Sequence, residues 1–299
     1  MKKLLIGFVA LTLLSCESEK SRRDKFVADS IAKANALPKA PAVSKEVVNE
    51  FIQSIPSPIE ISVLIKEQGA KYDSKLLNPT ASQGNYNTSF RQAVNLGVYS
   101  TDLGYANIYD QKQDAIKYLD AVTGMANGLN IGQFFDFSTI KRLATNSSNL
   151  DSLLLITTQN FEKINSYLQD QNRSNQSVLI LTGGWVESLY LTCEVVKKNP
   201  SQQFKERVGE QKVILDQLLL LLDFYKDDAN VQGLINDLNN LKAQFDAVKV
   251  TREYKESKME EINGIPTIVD KSTSRIDFTE KDIDNIRNAT IAVRDKIIK

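Results

Sequence analysis

The run Leu96–Asp110, LGVYSTDLGYANIYD, constrains the fold more than any other stretch of the chain. Read as a helix it is apolar and aromatic on nearly every side, so it has to be enclosed by other elements. At helical spacing Gly97, Thr101, Gly104 and Ile108 share one face. Glycine inside a helix costs about 0.5–1 kcal/mol relative to alanine, so a packing reason is expected. Small residues on one face let a second helix approach closely. The neighbouring face carries Tyr99, Asp102 and Tyr109.

A related pattern returns further on. Gly97-Val98-Tyr99-Ser100-Thr101-Asp102-Leu103 and Gly183-Gly184-Trp185-Val186-Glu187-Ser188-Leu189 both read Gly-x-aromatic-x-x-polar-Leu. Each helix breaks later, at Asp110 and at Asn199, and another helix follows each. The pattern allows two related helical hairpins, 88–130 and 178–225, packed around a local twofold; chance could also supply so short a match.

Helical spacing is expected over Ser44–Ile55, then over a short helix capped by Ser57 and ending at Gly69. Leu77 to Asn87 reads as a loop. Helices follow over Thr88–Tyr109, Gln111–Asn130, Leu150–Gln171, Val178–Lys198, Pro200–Tyr225 and Asp228–Val248. Gly132 to Ser148 reads as irregular, pinned to the core by Phe134, Phe135 and Phe137. Thr251–Lys258 and Thr267–Phe278 predict a small β-hairpin, with Gly264 and Pro266 between them. Thr279-x-x-Asp282 opens a last amphipathic helix. The expected class is all-α for the most part, a multi-helix bundle with a small C-terminal β-hairpin and a final helix. Residues 45–299 form a single helical domain on this reading.

Composition removes several kinds of chemistry. With His 0, no histidine can act as base or metal ligand, so Ser-His-Asp and Cys-His catalysis are excluded. No Gly-rich phosphate loop, CxxC or HExxH is present, and neither a metal nor another cofactor is expected. Lys+Arg 37 equals Asp+Glu 37, so no basic excess favours nucleic acid as a partner. Cys193 is the single cysteine outside the leader and reads as a small buried hydrophobe.

Residues 1–15 have the form of a signal peptide. Lys2 and Lys3 precede the apolar run Leu4–Leu14, which is too short to span a bilayer as a helix. Leu13-Leu14-Ser15-Cys16 resembles the lipobox of bacterial lipoproteins, although Leu14 is bulkier than usual at its place. The resemblance implies cleavage before Cys16 and acylation of its sulfur. Each buried CH₂ adds about 0.8 kcal/mol, and more than one chain anchors stably. Glu17, rather than aspartate, after the cysteine implies the outer membrane. Residues 16–44 read as a polar tether. If flexible, its roughly 28 residues span about 30 Å. No later segment reads as long and apolar enough to cross a membrane.

Further resemblance comes from Ile55-Pro56-Ser57-Pro58-Ile59-Glu60, Leu76-Leu77-Asn78-Pro79, Asn95–Asp110 and Gly183-Gly184-Trp185-Val186-Glu187. Together with the leader they resemble uncharacterised, mostly helical lipoproteins of Bacteroidetes-type bacteria, which implies an all-α domain without an assigned activity. The tandem bundles are also similar to imelysin-like proteins. Their motif needs a histidine, so no metal site is carried over. Asp29-Ser30-Ile31 and Asp151-Ser152-Leu153 resemble the sugar-acceptor motif of such bacteria.

Asp102 and Glu187 are the acids of interest, because a charge inside an apolar helix is costly unless paired. They could converge in a pocket flanked by Tyr99, Tyr105 and Trp185. They could instead accept hydrogen bonds from tyrosines, or from an arginine such as Arg91, and fix helix register. The second arrangement is the commoner one for such residues. The expected function is that of a lipid-anchored envelope protein, a binding or structural module that meets an envelope protein or a small ligand. The alternative is a carboxylate-dependent hydrolase of glycoside type using Asp102 and Glu187.

Overall fold

The computed structural model describes residues 65–66, 69–145, 150–198, 200–253, 258–262, 265–269 and 273–299. All belong to one compact unit, Val43–Lys299. The leader, Cys16, the tether, the helix expected over Ser44–Ile55 and the Asp29-Ser30-Ile31 motif lie outside the described residues. So do the side chains of Asp151-Ser152-Leu153.

Helix is the dominant element, as the periodicity predicts. The helices are α1 (Ser89–Ile108), α2 (Lys112–Gly128), α3 (Phe137–Thr145), α4 (Leu150–Asp170), α5 (Ser174–Lys198), α6 (Gln202–Asp223) and α7 (Ala229–Gln244). Strands β1 (Lys249–Glu253), β2 (Lys258–Ile262), β3 (Ile265–Val269) and β4 (Thr273–Asp277) come next, then α8 (Glu280–Ile298).

Side chains start several helices by satisfying orphan amides. Thr88 accepts from the Arg91 amide, Ser201 from Phe204, and Asp228 from Asn230 and Val231. Thr279 and Asp282 complete the capping box expected for α8. Three helices end alike. Asp110, Asn130 and Asn172 adopt left-handed backbone, with φ of 56°, 55° and 55°. The next amide then reaches back to Ala106, Ala126 or Leu168, at 2.9, 2.9 and 2.7 Å. This is the Schellman arrangement, and Asn and Asp are the residues other than glycine that best tolerate it.

α1 and α5 cross at the centre, α2 packs on α1, and α8 lies against both α5 and α7. A Cβ on Gly97 would overlap the Ile180 carbonyl oxygen and lie 2.5 Å from the Gly184 nitrogen. A Cβ on Gly183 would overlap the Val94 carbonyl and lie 2.8 Å from its carbon. Val94 precedes Gly97 by three residues, and Ile180 precedes Gly183 by three. The close approach is therefore reciprocal.

α5 is long and apolar enough to cross a membrane by length and composition, which corrects the reading that no later segment is. Within the fold, 89% of its most apolar window is buried by neighbouring helices. Its continuous apolar surface thus faces protein on nearly all sides.

Three segments differ from expectation. Thr80–Asn85 is a 3-10 helix rather than a loop. The stretch after Gly132 contains α3, started by Asp136, whose carboxylate accepts from the Thr139 amide at 3.0 Å. Pro266 lies inside β3, opposite Glu261, rather than in the turn. Ile262 and Ile265 pair just inside that position, so the next pair is one whose amides point away from the partner strand, and proline loses no ladder bond there. The inner ladder β2–β3 and the outer ladder β1–β4 are both antiparallel.

Candidate functional site

The α1–α5 crossing fixes the candidate acids. Thr101, one turn after Gly97, donates to the Gly97 carbonyl at 3.1 Å and lies 3.2 Å from the Gly184 carbonyl across the crossing. Asp102 is the next residue on α1, and Glu187 sits three residues beyond Gly184 on α5. Both are 0% exposed.

Glu187 gives both oxygens to Arg294 of α8. Arg294 Nε donates to Oε2 at 2.6 Å and a terminal nitrogen donates to Oε1 at 2.7 Å. That terminal nitrogen also donates to the Leu76 carbonyl at 3.0 Å, and the guanidinium lies 4.1 Å from the Tyr190 ring centroid. Two turns away Arg287 meets Glu194 at 2.5 Å. The seven-residue steps run in opposite directions, so α8 is pinned antiparallel to α5 by two arginine–glutamate pairs.

Asp102 has a different environment. The Asn78 amide donates to its Oδ2 at 3.0 Å. Its Oδ1 is buried and accepts from no donor among the described residues, while the side chain faces the Glu187 carboxylate. Burial first, and the Glu187 carboxylate second, push the Asp102 carboxyl well above the usual aspartate range; Arg294 and the Asn78 amide oppose this. For Arg294, burial works against the charge, but Glu187 and Asp102 more than offset it and hold the guanidinium above its ordinary value.

A polar network extends from the pair. The Asn78 side chain donates to Tyr86 Oη at 3.1 Å, and Tyr86 donates to the Ile298 carbonyl at 2.9 Å. Asn95 donates to the Ile297 carbonyl at 3.0 Å. The segment Leu76–Asn78, of which Leu77 and Asn78 read as loop from the sequence, is thereby folded into the junction of α1, α5 and α8, with Asn78 0% exposed.

The five residues read as a pocket do not all face one another. Tyr99 is beside the acids, donates to the Pro79 carbonyl at 3.1 Å and packs between Tyr86 and Tyr118. Tyr105 instead stacks on Tyr72 with centroids 5.4 Å apart, and its hydroxyl accepts from the Asp73 amide at 3.4 Å. Trp185 turns to α6, donating from Nε1 to Gln211 at 2.9 Å. None of Tyr99, Asp102, Tyr105, Trp185 and Glu187 exceeds 3% exposure.

The arginine partner is Arg294, not Arg91, whose guanidinium lies 5.4 Å from the Tyr86 ring centroid. Arg294 and Asn78 are the residues that sequence reasoning missed. The signal for Arg294 was present: it falls at helical spacing from Thr290 and Ile297, on the apolar stripe of α8. Cys193 is fully buried, and burial pushes its thiol up to about 12, which suits an inert core residue. No group of three acids or cysteines able to hold a metal exists among the described residues. The chain matches no protein-family model, no curated protein and no solved structure.

Proposed function

We propose that the chain is a lipid-anchored protein of the bacterial cell envelope whose helical body acts as a binding or structural module. The observation that carries the anchor is the leader itself: two lysines, the apolar run Leu4–Leu14, and Leu13-Leu14-Ser15-Cys16 at its end. An acylated Cys16 tethers the body through residues 16–44, at the outer membrane by the resemblance of the Cys16-Glu17 junction to known sorting signals. The relevant neighbours are then the bilayer and an envelope protein or small ligand. A module rather than an enzyme is supported by the 0% exposure of Asp102 and Glu187 and by the use of both Glu187 oxygens on Arg294.

The anchor is tested in cells with a clickable palmitate. Wild type is expected to carry the label and Cys16→Ala to lose it; an unlabelled wild type refutes the anchor. A pull-down from solubilised envelope, with the body as bait, tests for a partner.

One observation favours the alternative, a carboxylate-dependent hydrolase of glycoside type. The Glu187 carboxylate helps to push the Asp102 carboxyl upward, the direction a general acid needs. Such an enzyme needs water and substrate to reach both carboxyls. Release of a reducing sugar from envelope polysaccharide, lost in both Asp102→Asn and Glu187→Gln, would establish it.

A further inference from the structure

We propose that the junction of α1, α5 and α8 holds one buried proton at neutral pH, carried on Asp102 and donated to Glu187. Two acids and one arginine meet here. Glu187 spends both oxygens on Arg294, so the guanidinium balances one carboxylate and a second would stand uncompensated. Asp102 Oδ1 is one of the buried side-chain atoms that no donor reaches among the described residues; Asn78 Oδ1, at the same junction, is another. A hydroxyl at that position, directed to Glu187, removes the surplus charge and the orphan acceptor together.

The other groups facing Asp102 cannot supply the missing charge. Tyr99 from α1, Tyr118 from α2 and Tyr72 from the preceding segment are all held neutral by burial. The Asn78 amide already donates to Oδ2, and Arg294 from α8 is committed to Glu187 and Leu76. The proton balance is simple. Asp102 is ionised in the unfolded chain at pH 7, takes one proton from solvent on folding, and returns it when the pH rises far enough.

With His 0, no imidazole confuses the reading near neutrality. In the full chain, wild type is expected to show a carboxylic-acid carbonyl absorption in the infrared at pH 7 that Asp102→Asn lacks. Asparagine keeps an acceptor for Asn78 and offers Glu187 an N–H, so the variant mimics the protonated acid. Urea unfolding followed by Trp185 fluorescence supplies the second readout. Relative to Asp102→Asn, the wild-type unfolding constant is expected to rise about tenfold per pH unit while the native pair still holds the proton. Parallel profiles for the two proteins, or no acid carbonyl in wild type at pH 7, would overturn the proposal. If Asp102→Asn does not fold, wild type decides alone. Uptake of one proton on refolding at pH 7, together with the acid band, supports the proposal, and absence of either sinks it.

Discussion

Arg294 shows what one residue does for this fold. It is 6% exposed, and its charge is tolerated because Glu187 takes two of its hydrogen bonds and Leu76 a third. Removing one partner of a buried pair leaves the other charge stranded, at a cost of about 3–5 kcal/mol. Arg294→Ala should therefore destabilise the chain by that amount in urea unfolding. Arg287→Ala, whose pair with Glu194 is less buried, should cost less. A loss under about 1 kcal/mol for Arg294→Ala would mean that the pair is solvated in solution. The acids of this cluster were legible, since a carboxylate inside an apolar helix demands an explanation. The place of Arg294 on an apolar stripe was legible too, but its pairing was not, because it lies 107 residues from Glu187 and periodicity cannot pair positions so far apart.

Among the elements, the α1–α5 crossing was the most legible and α3 the least. Glycines spaced along an otherwise apolar helix announce a close neighbour, and the structure puts backbone where their Cβ atoms would stand. Gly97→Ala and Gly183→Ala should each lower stability by about 1–3 kcal/mol or more, because the clash is with a helix backbone that cannot step aside. Gly233 in α7 is the control. A Cβ there meets nothing within 4 Å, so Gly233→Ala should raise stability by about 0.5–1 kcal/mol. Thermal unfolding of the three variants checks both signs; a stabilised Gly97→Ala would refute the tight crossing. α3 was missed because three phenylalanines in four positions hide the period, although Asp136 was an available cap. The hairpin expected as two strands is four, in two ladders, and of the two residues expected between the strands Pro266 lies within β3.

For the whole molecule, stability should depend on pH in two opposed ways. Hydrogen bonds from Lys198, Lys117 and the Thr279 side chain hold Asp73, Asp114 and Asp282 below the ordinary carboxylate range. Groups lowered in this way contribute stability that is present above their unfolded values and lost as the pH falls through the folded ones. Asp102 has the opposite sign. Its folded value is raised, so its contribution is complete below the unfolded value and lost as the pH rises toward the folded one. Most proteins blur this region with histidine, but here the count is His 0, and Cys193 titrates only at about 12. The urea midpoint of the full chain should therefore peak at about pH 4–6, fall below that range as the lowered acids protonate, and fall again above it, because the unfolded chain gives up the Asp102 proton that the folded chain keeps. A midpoint that climbs steadily from about pH 5 to 8 would require histidine-like groups that this chain does not have, or a buried pair that is ionised throughout. The second case would put the third charge of the junction in the folded core without a counterion, which the burial of α1, α5 and α8 around it makes the least stable arrangement available to these side chains.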